Sequence, residues 1–351
     1  MMVKDTGIQW ADSTFNPWQG CSKVSPACGN CYAMEHVNRY GGDFLGKRVM
    51  TSDGYWKDPL KWNKEAEKSG QMRRVFCASL SDVFEDYEGP IVNHKGQRLA
   101  VWPDGSRITI DQGDILPHIP GGPRSHWMTM SDARRRLFNL IDSTPNLVWM
   151  LLTKRPENIS AMWNDLDLRH QGKRKHRQNV WLGTTVENQE QADKRIPELL
   201  KCRDLAPVLF LSCEPLLGPV DLSRVNSGNS SGNALKKWSC RHVSHDSTRV
   251  ETACTCCVGH QSEIDWVICG GESGKNARPM NPQWALSMRD QCMAAGLPFH
   301  FKQFGEFDAQ GNRIGKKQAG RLLDDKEWNE LPTEWHLQQM ADDAQRLDMG
   351  Y

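Results

Sequence analysis

Short apolar runs alternate with longer amphipathic stretches along this chain, and each run ends in polar or charged residues. The runs begin at Val75, Leu147, Val180, Val208, Trp266 and Pro298. They end in Ser79 to Asp82, Thr153-Lys154-Arg155, Thr185 to Glu187, Ser212-Cys213-Glu214, Gly270 to Ser273 and Lys302-Gln303. Continuous runs of this length, rich in β-branched and aromatic residues, predict strands buried on both faces and hence a parallel sheet. Between them, Ser131 to Asp142, Gln189 to Leu200 and Pro282 to Ala295 carry apolar residues at helical spacing. Strand, polar tip and helix in repetition mean βα units. With a further short strand near Thr14 to Trp18, about seven strands are expected. The predicted fold is α/β: a partial or complete parallel (β/α) barrel.

Two insertions interrupt the expected barrel over residues 1–320. The first, 89–128, reads as a loop or small hairpin over the barrel mouth, with a strand-like Arg107 to Ile110. The second, 226–263, opens on a Ser/Gly/Asn-rich linker and continues into a Cys/His-rich stretch. The tail, 321–351, reads as helical around Glu327 to Arg346.

Composition narrows the class. At 38% hydrophobic residues and a net charge of +1, the chain reads as globular, with no global field drawing it onto nucleic acid or membrane. No apolar run approaches the roughly 20 residues that span a bilayer, so no membrane partner is expected. Twelve cysteines behind an N-terminus without a signal-like apolar stretch point to the cytoplasm, where clustered thiols read as metal ligands. Neither GxGxxG after a strand nor GxxxxGK[ST] occurs.

The sharpest chemistry lies in Cys21, Cys28 and Cys31. The pair Cys28-x-x-Cys31 can reach one metal centre, and Cys21 comes from a Gly/Ser/Pro-flanked loop. Spacing alone leaves two readings open. One is a zinc site completed by a distant ligand. The other is a [4Fe–4S] cluster with one iron free of protein ligands. In a barrel, chemistry gathers at the C-terminal ends of the strands. This makes Ser79, Asp82, Lys154, Arg155, Glu187, Ser212, Glu214 and Lys302 candidate site residues. Cys240, Cys254, Cys256 and Cys257, with nearby histidines, could hold a zinc ion or a second cluster. Arg134-Arg135-Arg136 and the basic run 169–177 suit a phosphate backbone.

Several motifs together carry a family resemblance. They are Gly7-Ile8-Gln9-Trp10, Asn16-Pro17, Gly20-Cys21, Cys28-x-x-Cys31-Tyr32-Ala33, Leu152 to Pro156, Glu214-Pro215-Leu216, Asp265 to Gly274 and Lys302-Gln303-x-Gly305. From Gly7 to about Gly305 the chain resembles a phage-associated family related to the radical SAM enzymes, and distantly spore photoproduct lyase. Its C-x6-C-x2-C spacing is three residues longer than the usual radical SAM loop. The resemblance implies a [4Fe–4S] cluster on Cys21, Cys28 and Cys31, with S-adenosylmethionine on the fourth iron. It implies cofactor contacts from Ser79, Asp82, Glu187, Ser212 and Glu214, and substrate contacts from Lys154, Arg155 and Lys302. Cys213 and Tyr32 are candidates for a radical-quenching group. The expected partners are an electron donor and a nucleic-acid or nucleotide substrate. The rival readings are a zinc-stabilised nucleic-acid-binding protein and a radical enzyme acting on a peptide or small metabolite.

Overall fold

The computed structural model describes residues 6–111, 113–167, 175–227, 230–235 and 264–332. Seven strands form one sheet: β1 (Ser13–Thr14), β2 (Arg73–Cys77), β3 (Leu147–Thr153), β4 (Val180–Thr185), β5 (Val208–Cys213), β6 (Trp266–Gly270) and β7 (Phe299–Gln303). They lie side by side in chain order, every neighbouring pair parallel. Parallel neighbours need crossovers, and helices supply them. They include α1 (Tyr32–Arg39), α2 (Asp58–Ser69), α3 (Met130–Asp142), α4 (Ile159–Asp167), α5 (Gln189–Leu200) and α6 (Pro282–Ala295). The predicted helices match α5 and α6 in extent and α3 to within one residue. Thr129 opens α3 with a reciprocal capping box to Asp132, and Gly296 closes α6 in the left-handed conformation.

The period of two along the strands separates two apolar layers. In β3, Leu147, Trp149 and Leu151 face the helices, while Val148, Met150 and Leu152 face inward. The inner layer joins Trp10, Phe76, Trp181, Phe210 and Trp266. Trp10, just before β1, lies with its ring centroid 6.3 Å from that of Trp266 on β6. In a flat sheet those strands would stand roughly 24 Å apart. The sheet is therefore curled into a half-barrel with aromatic rings filling its floor. The sheet path ends at β1 and β7.

The first insertion does more than form a small hairpin. Ile91–Val92, Arg98–Val101, Arg107–Ile110 and His126–Trp127 join Trp18–Gln19 and Arg48–Met50 in a second, six-stranded sheet. The linker opening the second insertion begins instead as a hairpin, Val225–Ser227 against Ser230–Gly232. Residues 236–263, and with them Cys240, Cys254, Cys256 and Cys257, lie outside the described residues. Of the tail, 321–351, only residues 321–332 are described, so most of the helix-like stretch expected around Glu327 to Arg346 lies outside the described residues. Leu322–Leu323 pairs antiparallel with Lys326–Glu327 across Asp324-Asp325, both at positive φ. That two-residue turn suits a hairpin. Trp328 then caps the core, its indole donating to the Leu323 carbonyl at 3.0 Å. No helix among the described residues is long and apolar enough to cross a membrane.

Candidate active site at the strand ends

The C-terminal ends of the strands enclose a cavity of about 720 Å³. Cys21, Cys28 and Cys31 line one side. Ser79, Asp82, Lys154, Arg155, Ser212, Glu214 and Lys302 line it too, so residues far apart in sequence converge as the βα reading predicts. Apolar surface comes from Ile8, Trp10, Met34 and Phe76. The lining contains no histidine and no fourth cysteine among the described residues. All three thiols are free of disulfides. Cys21 and Cys31 pack against a small apolar cluster of Ala33, Val37 and Phe44, which shields one flank of the loop.

The cysteine loop is held by three carboxylates, each from the chain just past an alternate strand. Glu85, beyond β2, accepts the Ser22 N–H at 2.7 Å. Glu187, beyond β4, accepts the Ala27 N–H at 3.3 Å. Glu272, beyond β6, accepts the Asn30 side-chain amide at 3.2 Å. Each is paired with arginine: Arg48 and Arg155 on Glu85, Arg195 on Glu187 at 2.7 Å, and Arg278 on Glu272. The arginines reach the loop as well. Arg155 donates to the Ser22 carbonyl at 2.9 Å and Arg278 to the Pro26 carbonyl at 3.2 Å. Sequence reasoning singled out neither Glu85 nor Arg48, which sit in polar stretches without a motif. Only the buried ion pair reveals them, with side chains 1% and 0% exposed.

Several candidates therefore act on the loop rather than on a ligand. Glu187 is fully buried against Arg195 and does not line the cavity. Asp82 is saturated: Thr153 Oγ1 and Phe84 N–H donate to one oxygen, and Lys154 N–H and Arg155 donate to the other. Arg155 binds Asp82 at 2.9 Å and approaches the Cys21 sulfur at 3.6 Å. Cys213 faces the helix layer, because the strand alternation turns it away from its neighbours Ser212 and Glu214. Burial raises its thiol well above the ordinary value. The Tyr32 hydroxyl donates to the Ser79 carbonyl at 2.9 Å.

Charge in the cavity is unbalanced. Asp82 is matched by Arg155, and Glu214 by Lys302 at 2.9 Å. Lys23, Lys154 and Lys316 also line the cavity, and no described carboxylate forms an ion pair with them. A site with this excess favours an anion. Cys21 and Cys28 differ. Burial, reinforced by Asp82 and Glu85, pushes the Cys21 thiol up to about 12. Burial also acts on Cys28, yet the Lys154 charge and hydrogen bonds from Val24 and Ser25 bring that thiol below its ordinary value. Thiols become ligands as thiolates, so metal loading here would release protons. No group of three or more His, Cys, Asp or Glu side chains among the described residues converges on a single ion.

Residues 5–93 and 126–332 match the family described as a protein of unknown function, DUF5131. The chain belongs to this family. No curated protein and no solved structure matches it. In this DUF5131 protein the matched segments contain the whole half-barrel, all three loop cysteines and the three carboxylates that hold them. The skipped stretch, 94–125, covers most of the first insertion.

Proposed function

We propose that this protein is a radical SAM enzyme, with a [4Fe–4S] cluster on Cys21, Cys28 and Cys31, acting on a nucleic acid or nucleotide. The observation that carries the reading is the meeting of these three cysteines with the strand-end polar residues around one cavity. Its volume lies within the range of small-molecule and cofactor pockets. When bound, the cluster and S-adenosylmethionine would supply reductive cleavage of the sulfonium and a 5′-deoxyadenosyl radical for hydrogen abstraction.

The chain's own residues have separable tasks in this reading. Cys21, Cys28 and Cys31 would hold the cluster as thiolates. Lys154 offers a cation beside Cys28 for a cofactor carboxylate. Glu214 keeps a cavity-facing carboxylate for a cofactor amine or hydroxyl, steadied by Lys302. The Ser79 and Ser212 hydroxyls offer further hydrogen bonds, with Ser79 oriented by Asn16 at 3.1 Å. Asp82, Arg155 and Glu187 hold the loop. Ile8, Trp10, Met34 and Phe76 exclude water, which a reactive intermediate requires. The excess of lysine supports a substrate that carries phosphate.

Anaerobic purification with iron and sulfide analysis tests this reading. The reduced protein would then be examined by EPR with and without S-adenosylmethionine. About four irons per chain are expected, with a signal altered by the cofactor and absent from the Cys21→Ala, Cys28→Ala, Cys31→Ala triple variant. Zinc alone, with no reducible cluster, would overturn it in favour of a zinc-stabilised binding protein.

A further inference from the structure

The triplet Arg134-Arg135-Arg136 divides its tasks. Arg134 is buried and donates to the Glu85 carbonyl, and Arg135 pairs with Asp132 on its own helix. Arg136 instead faces a cleft of about 470 Å³ with Asp53, Trp56, Lys57 and Arg107. The cleft shares no lining residue with the strand-end cavity. Three separate stretches build it: the turn before α2, the second turn of α3 and the strand Arg107–Ile110 of the first insertion. Arg107 belongs to the stretch that the family match skips.

Arg107 and Arg136 both donate to the same oxygen, Asp53 Oδ1. The two arginine side chains are 19% and 26% exposed, whereas that of Asp53 is 71% exposed. The Arg136 guanidinium lies 3.8 Å from the centre of the Trp56 ring, which fixes its plane. Its Nη1 is buried without a hydrogen-bond partner among the described residues. Burial and the neighbouring Arg107 charge lower the Arg136 value to about 10. Two shielded guanidiniums thus share one solvent-facing carboxylate, and Lys57 lines the same cleft without pairing to it. Pinning the insertion to the barrel would need one arginine and one acid. A second arginine under an acid that can swing into water without losing hydration instead matches an anion with several oxygens. Arginine forks hold phosphate in this way.

We infer that this cleft is a phosphate-binding site, with Arg107, Arg136 and Lys57 as its donors and the Asp53 carboxylate as the group that a phosphate displaces. The phosphate belongs to a polynucleotide backbone or to a free nucleotide or phosphate ion, and two probes separate these sources. One is a labelled single-stranded oligodeoxynucleotide of about 20 nucleotides, followed by anisotropy over a range of salt. The other is inorganic phosphate, followed by calorimetry.

Lys57→Gln and Arg107→Gln should each weaken binding severalfold. For the oligonucleotide each should also reduce the log–log salt slope by about 0.7, one phosphate contact on a single strand. Asp53→Asn should strengthen binding by removing the competitor. Response to both probes indicates a backbone phosphate, and response to inorganic phosphate alone indicates a free one. Arg107→Gln could loosen the insertion, but Lys57 forms no ion pair among the described residues and keeps the test decisive. Wild-type affinity in Lys57→Gln and Asp53→Asn, or a wild type that binds neither probe, overturns the inference. Iron content does not enter these measurements, so the cleft and the cluster stand or fall separately.

Discussion

At the scale of the residue, the cysteine loop rests on buried charge. Removing one partner from a buried ion pair leaves the other uncompensated, at a cost of about 3–5 kcal/mol. Glu187→Gln keeps an oxygen for the Ala27 N–H but strands Arg195, so it should destabilise the fold by about that amount. Denaturant unfolding would measure the loss, and amide exchange at Ala27 would report whether the loop is still set. Glu272 adds a pH dependence. Burial acts to raise its carboxyl, but the bonds from Arg278 and Asn30 outweigh burial and leave it below the ordinary value. A lowered carboxyl contributes stability above its unfolded value and loses it as pH falls through the folded one. Wild type should therefore lose more thermal stability than Glu272→Gln between about pH 5 and pH 3. Equal slopes across that window would show that Glu272 carries no such coupling.

At the scale of the element, two glycines show how strands are fitted to one another. A Cβ on Gly183 in β4 would stand 2.3 Å from the Phe210 ring, which crosses the barrel floor at that point. Gly183→Ala should cost about 1–3 kcal/mol through overpacking, readable as a lower melting temperature. Beyond β7, Gly305 has φ +92°, and a Cβ there would meet the Glu272 carbonyl at 2.1 Å. Gly305→Ala should destabilise more than Gly183→Ala, since strain and clash coincide. It should also free the Glu272–Arg278 hold on the cysteine loop and raise amide exchange across residues 26–31. Protection unchanged from wild type there would show that the loop is held without Glu272.

At the scale of the whole molecule, closure of the half-barrel depends on contacts between strands that are not neighbours. Trp10 packs edge-on against Phe76 at 4.7 Å and against Trp266 at 6.3 Å. It ties the first strand to the sixth. Trp10→Ala should cost about 3–5 kcal/mol, the usual range for a buried tryptophan. The same change should loosen the strand-end cavity, which Trp10 also lines. Denaturant unfolding and the exchange of β1 amides would show both effects. A loss under about 1 kcal/mol would mean that the remaining rings fill the floor without it.

The sequence by itself determined a parallel α/β sheet of about seven strands, three helices nearly to the residue, and a set of polar residues at the strand tips, while leaving a partial and a complete barrel both open. These features follow from local periodicity and from the rule that βα units collect their tips on one face, and both are written in consecutive residues. The tertiary structure alone decided which tip residues are tied up in holding the loop and which keep a group free for the cavity. Asp82, Arg155 and Glu187 look alike in sequence to Glu214 and Lys302, because a charged residue after an apolar strand carries no mark of its partner. Glu85 with Arg48, and Arg107 with Arg136, come from stretches tens of residues apart, and only the folded chain brings their charges together. The tail hairpin carries no turn signature in the sequence, because Asp324-Asp325 takes its positive φ values from pairing across the turn.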